Sequence, residues 1–153
     1  MRRRLSLFTI HTALALALAS AAAAAPAKTT LHGIRTPSGN IKCLVIPGEP
    51  NLLHCTLGKA SYATRLQSQC MTPSGGGVDW HGFELTATGK GGISCSGGIL
   101  YSPESYQPSY STLAYGHSWR HRGFSCLSQR SGLTCRSATG HGLFLSRSSF
   151  RIW

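Results

Sequence analysis

Asp79, His81 and Glu84 form the tightest grouping of acid and base side chains in the chain. On a strand Asp79 and His81 share one face, and Glu84 faces away unless Gly82 opens a bulge. An Asp–His pair can supply half of a hydrolytic or metal-assisted site. Its plainer role is a polar turn beside Trp80. Only four acidic residues are present, so paired carboxylates for glycoside hydrolysis are scarcely available. Hard divalent cations are served equally poorly. His117, His121 and His141 are a second grouping, conceivable as three imidazole ligands or, with Ser118, Ser125 or Ser146, as a Ser–His pair. No G-x-S-x-G accompanies them, and no orienting acid is evident. His141 lies between two glycines, a setting that suits a tight turn. The sequence assigns no catalytic residue and no metal ligand, and it asks for no cofactor.

The basic residues suggest recognition. Trp119-Arg120-His121-Arg122 is the most basic local cluster, with an aromatic ring beside it. Together with Arg130 and Arg136 it forms the expected anion-contacting set: Arg120, His121, Arg122, Arg130 and Arg136. The formal charge is +11. With the three arginines of the first four residues set aside, twelve basic residues face four acidic ones, a balance of +8. Such a balance favours anionic partners, such as nucleic acid, lipopolysaccharide, teichoic acid or anionic lipid. No run of five or six Lys/Arg marks a dedicated patch, so an ordinary basic surface is the competing reading.

The elements that must position these residues lie behind an expected export leader. Arg2-Arg3-Arg4, the interrupted apolar stretch Leu5–Leu18 and Ala22-Ala23-Ala24 read as a signal peptide, 1–24, cut after Ala24. A short tether, 25–32, then leads into a single domain, 33–153. That length suffices for one modest core. All six cysteines follow the leader, an even count that in an exported chain argues for three disulfides. The expected location is the periplasm or the outside of the cell.

Alternation sets the pairing. With Cys126 opposite Cys135, Phe124 faces Ser137 and Ser128 faces Leu133, across a four-residue loop at Gln129–Gly132. With Cys43 opposite Cys55, Ile41 faces Leu57 and Val45 faces Leu53. Lys42, His54 and Thr56 then fall on the other side, and a one-residue slip would place Lys42 and His54 inside. Cysteines directly opposite on neighbouring strands can be bridged. The remaining pair is Cys70–Cys95. Ser61–Gln69 is ambiguous between a short helix on Tyr62, Leu66 and Gln69 and a turn or irregular strand. Val78–Ala87 reads as a strand with a bulge at Gly82. Tyr101–Tyr115, with Pro103 and Pro108, reads as an ordered loop crossing the fold with tyrosines as lids, or as an exposed aromatic strip. Phe150, Ile152 and Trp153 imply a docked C-terminus. The expected class is all-β: a small single-domain sandwich or barrel of short antiparallel hairpins, stapled by disulfides.

Thr36–Cys43 (TPSGNIKC), Asp79-Trp80 followed by Gly82, Cys95-Ser96-Gly97, and Ala114-Tyr115-Gly116 carry a resemblance. So do Gly123–Cys126 (GFSC), Gly132–Arg136 (GLTCR) and Gly140–Arg147 (GHGLFLSR). On these the chain resembles a family of exported bacterial proteins known only as a domain of unknown function. The family pattern often has an acidic residue after its Cys-x-Gly and an asparagine two places past the last cysteine. Gly98 and Ser137 stand there in this chain. The resemblance implies an exported, cysteine-bridged β domain and brings no activity with it.

Three functions follow as expectations. The first is a monomeric, non-enzymatic exported domain that binds an anionic envelope or extracellular polymer, or another envelope protein, through its basic surface. The second is a small hydrolase or metal-assisted enzyme using Asp79 and His81. The third is a secreted inhibitor that inserts the Tyr101–Tyr115 stretch into a target enzyme.

Overall fold

A computed structural model describes residues 26–153. The expected leader, 1–24, lies outside the described residues. The chain forms β1 (Thr29–Arg35), β2 (Ile41–Ile46), β3 (Leu52–Leu57), a short α1 (Ala63–Gln67), β4 (Asp79–Thr86), β5 (Gly91–Ser96) and β6 (Tyr106–Thr112). A second run follows: β7 (Ser118–His121), β8 (Phe124–Gln129), β9 (Gly132–Ser137), β10 (Gly142–Leu145) and β11 (Phe150–Ile152). The class is all-β. One sheet has the order β5-β4-β3-β2-β1-β6 and the other β11-β10-β9-β8-β7. Inward-facing residues of both belong to one hydrophobic core, so the sandwich alternative holds.

Side-chain alternation builds that core. Ile41–Leu57, Cys43–Cys55 and Val45–Leu53 are opposite pairs, and β4 continues the rows with Phe83 beside Cys55 and Leu85 beside Leu53. In the second sheet Phe124–Ser137, Cys126–Cys135 and Ser128–Leu133 pair, with Leu143 and Leu145 extending the rows. The three expected disulfides are present: Cys43–Cys55, Cys70–Cys95 and Cys126–Cys135. The first and third face each other across the sandwich, since the sulfurs of Cys43, Cys55 and Cys135 lie within 4.8 Å of one another. The loop between β8 and β9 is tighter than the four residues expected. Gln129 and Gly132 pair directly, leaving Arg130-Ser131 as a two-residue turn.

The ambiguous Ser61–Gln69 stretch does contain a helix, but one of only five residues. Tyr62 and Leu66 are buried and Gln69 is exposed. Tyr62 holds the position through packing. Its ring lies 4.9 Å from that of Phe150 and 6.2 Å from that of Phe83, and its hydroxyl donates to the Ser146 carbonyl at 2.8 Å. Burial pushes the Tyr62 hydroxyl up to about 12.

Two expectations need correction. Tyr101–Tyr115 is not simply a loop, because Tyr106–Thr112 forms edge strand β6. It pairs with β1 in parallel, from Thr29–Tyr106 to Arg35–Thr112, so the first sheet is mixed. A parallel pair requires a crossover, and residues 97–105 carry the chain from one edge of the sheet to the other. The same pairing moves the tether boundary. β1 begins at Thr29, inside the stretch 25–32, because β6 gives those residues a partner and the Thr29 N–H donates to the Ser105 carbonyl at 2.8 Å.

Candidate functional site

The open face of the five-stranded sheet follows directly from the pairing. Cys126, Leu133, Cys135, Leu143 and Leu145 point inward, so their neighbours point out. One outward row runs Arg120, Ser125, Arg136, Gly142. Trp153 continues it, exchanging two backbone hydrogen bonds with Gly142 at 2.9 and 3.1 Å. The next outward row runs Ser118, Leu127, Thr134, Phe144, Arg151. This face therefore carries three arginines, two aromatic rings and three hydroxyls, with no acidic side chain in either row.

The arginines are oriented by rings. The Arg136 guanidinium lies 5.0 Å from the Trp153 ring centre, and that of Arg151 lies 5.5 Å from Phe144. Such stacking holds the planar head over a ring and leaves its edge donors free. The Trp153 indole N–H donates to the Gly140 carbonyl at 3.1 Å, which fixes the ring beneath Arg136.

The expected anion-contacting residues do not form one patch. Arg120 and Arg136 share the open face. His121 is the inward-facing residue next to Arg120, with its ring 5.5 Å from His32 and 5.6 Å from Trp119. Burial, then the charges of His32 and Arg122, lower its pKa. Arg122 occupies the turn after β7 with φ 44°, followed by Gly123 with φ 89°. Two left-handed residues in a two-residue loop give the hairpin turn that suits strand twist. Arg130 sits in the turn at the opposite end of β8. Arg151 and the rings of Phe144 and Trp153 were missed. The signal available was alternation in Phe144–Trp153, which sends Phe150 and Ile152 inward and Arg151 and Trp153 outward.

Asp79 and His81 belong to the other sheet. The strand does bulge, with the register shifting between Trp80 and Gly82. Gly82 has φ 126°, and a Cβ there would collide with the Cys55 carbonyl. The His81 Nε2 bonds to the Ser96 carbonyl at 2.9 Å, while Asp79 is exposed. The Trp80 indole donates to the Gly82 carbonyl at 2.7 Å, and Gln67 braces the strand through the Trp80 N–H and the Val78 carbonyl. These bonds serve the bulge itself. Glu84 stands opposite His54, which is buried on the outward face with its Nε2 unpartnered. Burial, and secondarily the charge of His81, lowers His54 to about 4.

Among the described residues, the one grouping of three close metal donors is Cys43, Cys55 and Cys135, and their sulfurs are consumed in disulfides. His117 and His121 stand at opposite ends of the β7 hairpin arm, about 13 Å apart along a strand, too far to share an ion. His141 follows the turn at Ser137–Gly140 and accepts the Ser137 N–H through its carbonyl.

A model of a family of unknown function, DUF6636, matches residues 11–153, and the chain belongs to that family. No curated protein and no solved structure matches the chain. Among the described residues no helix is long and apolar enough to cross a membrane.

Proposed function

We propose that this member of the family acts outside the cytoplasm as a non-enzymatic binding domain for an anionic polymer of the envelope or the extracellular space. The open face of the five-stranded sheet is the contact surface. The observation that carries the reading is the composition of its two outward rows. Arg120, Arg136 and Arg151 share one face with Phe144 and Trp153 and with the hydroxyls of Ser118, Ser125 and Thr134. An extended anion laid across the strands would meet a guanidinium on every second strand, β7, β9 and β11, and would need no pocket. Three disulfides suit an oxidising compartment.

The test is a salt titration of binding to teichoic acid, lipopolysaccharide and duplex DNA, with the parent and with R120Q/R136Q/R151Q. The expected outcome is binding that weakens with salt, and a triple variant with affinity lower by about tenfold or more, from three charge contacts of about 0.5–1 kcal/mol each. No binding at low ionic strength, or a triple variant that binds like the parent, would overturn the reading.

A further inference from the structure

A second basic site lies at the other end of hairpin β8–β9, away from the open face. A cleft of about 570 Å³ opens there between four segments far apart in sequence. They are the turn 36–41, residues 58–59 after β3, the tip 129–132 of the hairpin, and 146–147 after β10, with Tyr115 at the side. Its lining contains three cationic side chains, Lys59, Arg130 and Arg147, and no carboxylate. The rest is mainly hydroxyl, amide and glycine, including Tyr115, Gln129 and Ser131.

Each cation is held from behind. Asn40 spends both ends of its amide on the Lys59 backbone, accepting its N–H at 2.8 Å and donating to its carbonyl at 3.1 Å. The Ser61 N–H donates to the Arg147 carbonyl at 2.8 Å, and the Tyr62 hydroxyl fixes the Ser146 carbonyl beside it. The Arg130 guanidinium lies 5.3 Å from the centre of the Tyr115 ring. The backbone is thus anchored while the charged heads of Lys59, Arg130 and Arg147 remain exposed.

We infer that this cleft binds an anionic sugar, a saccharide unit carrying a phosphate or carboxylate group. The volume falls within the usual range for small-ligand sites, about 300–1,000 Å³. Two guanidinium groups and an ammonium from separate segments can converge on one oxyanion, with the forked geometry that suits phosphate and carboxylate. Tyr115, Gln129 and Ser131 in the lining supply donors and acceptors for sugar hydroxyls, which a bare ion would not use. The site stands on residues other than Arg120, Arg136 and Arg151, so it does not depend on the polymer-binding face.

The experiment is calorimetric titration of the full disulfide-bonded domain with glucose 6-phosphate, digalacturonate, neutral maltose and inorganic phosphate. Backbone amide shifts of Gly39, Gly58 and Ser131 are followed in parallel by NMR. The expected result is saturable binding of at least one anionic sugar, with shifts at those three amides and none with maltose. The phosphate and carboxylate arms identify which group the site takes. R147Q and R130Q should each weaken that binding by about tenfold, the loss of one charged hydrogen-bonding partner, while R120Q/R136Q leaves it unchanged. Several outcomes would overturn the inference. Maltose could bind equally well, or inorganic phosphate could match the anionic sugars. R120Q/R136Q could weaken binding as much as R147Q does, or the shifts could fall elsewhere.

Discussion

His54 should make the domain sensitive to mild acid through a single imidazole. It is buried, its Nε2 has no partner, and its pKa falls from 6.5 in the open chain to about 4 in the fold. The folded state therefore binds this proton less tightly than the unfolded state, and protonation favours unfolding. The His54 contribution is complete above about pH 6.5 and is lost as the pH falls toward 4. At 1.36 kcal/mol per pKa unit the whole shift corresponds to about 3 kcal/mol, of which about 2 kcal/mol is lost between pH 7 and pH 5. The assay is urea unfolding with the disulfides intact, followed by tryptophan fluorescence at pH 7.5, 6 and 5, on the parent and on H54L. Groups that do not interact with His54 contribute alike to both proteins, so the difference between the two stability curves reports His54 together with its smaller coupling to His81. That difference should shift by about 2 kcal/mol in favour of H54L on going from pH 7 to pH 5. Burial is the larger cause and the His81 charge the smaller, so H81Q should retain most of the slope. Parallel curves for parent and H54L would mean that the imidazole titrates in the fold as it does in the open chain, and would rule out this acid sensitivity.

Gly82→Ala should destabilise the domain by about 2 kcal/mol or more, because φ 126° and the Cys55 carbonyl both oppose a Cβ; the urea midpoint reads this directly. The disulfides should rank against their loop lengths. By chain entropy alone, removing Cys70–Cys95, with a separation of 25, costs about 3.5 kcal/mol, and removing Cys126–Cys135, with a separation of 9, about 2.6 kcal/mol. Only Cys70 of the first pair is buried and Cys95 is exposed, whereas Cys126 and Cys135 are both buried in the core, so C126A/C135A should lose about 1–2 kcal/mol more from vacated packing and prove the more damaging pair.

The parts of this fold that could be read from sequence are those settled between neighbours. Placing Cys43 opposite Cys55 forced Lys42 and His54 outward, and one slip would have reversed every side chain. The Gly82 bulge was legible because one glycine interrupts an otherwise regular strand. β6 was not legible. Its partner is about 77 residues earlier in the chain, its side chains do not alternate cleanly between buried and exposed, and Pro108 argues against a strand except at an edge, where β6 lies. The basic cluster misled for a related reason. Arg120, His121 and Arg122 are consecutive, but a strand sends the first outward and the second inward, and the turn takes the third. The arginine that shares the row of Arg120 on the face is Arg136, two strands over, and Arg151 lies on the opposite edge strand of the same sheet. The cleft brings Lys59, Arg130 and Arg147 together from segments no local pattern connects.

The two proposed binding surfaces nevertheless share one mechanical element. Hairpin β8–β9 presents Ser125, Thr134 and Arg136 to the open face and Arg130 to the cleft, and Cys126–Cys135 closes it between them. Inside the sandwich that bridge abuts Cys43–Cys55, whose strands lead through the turn at Asn40 and the end of β3 to Lys59. The two adjacent bridges therefore tie the strands that lead to Arg130 and Lys59 to the strands that carry Ser125 and Arg136. Surface substitutions should separate the two proposed activities, since R120Q/R136Q and R147Q lie on different surfaces. C126A/C135A cannot, because it loosens the strand pair that both surfaces use, so it should weaken polymer and sugar binding in the same protein even where the domain remains folded.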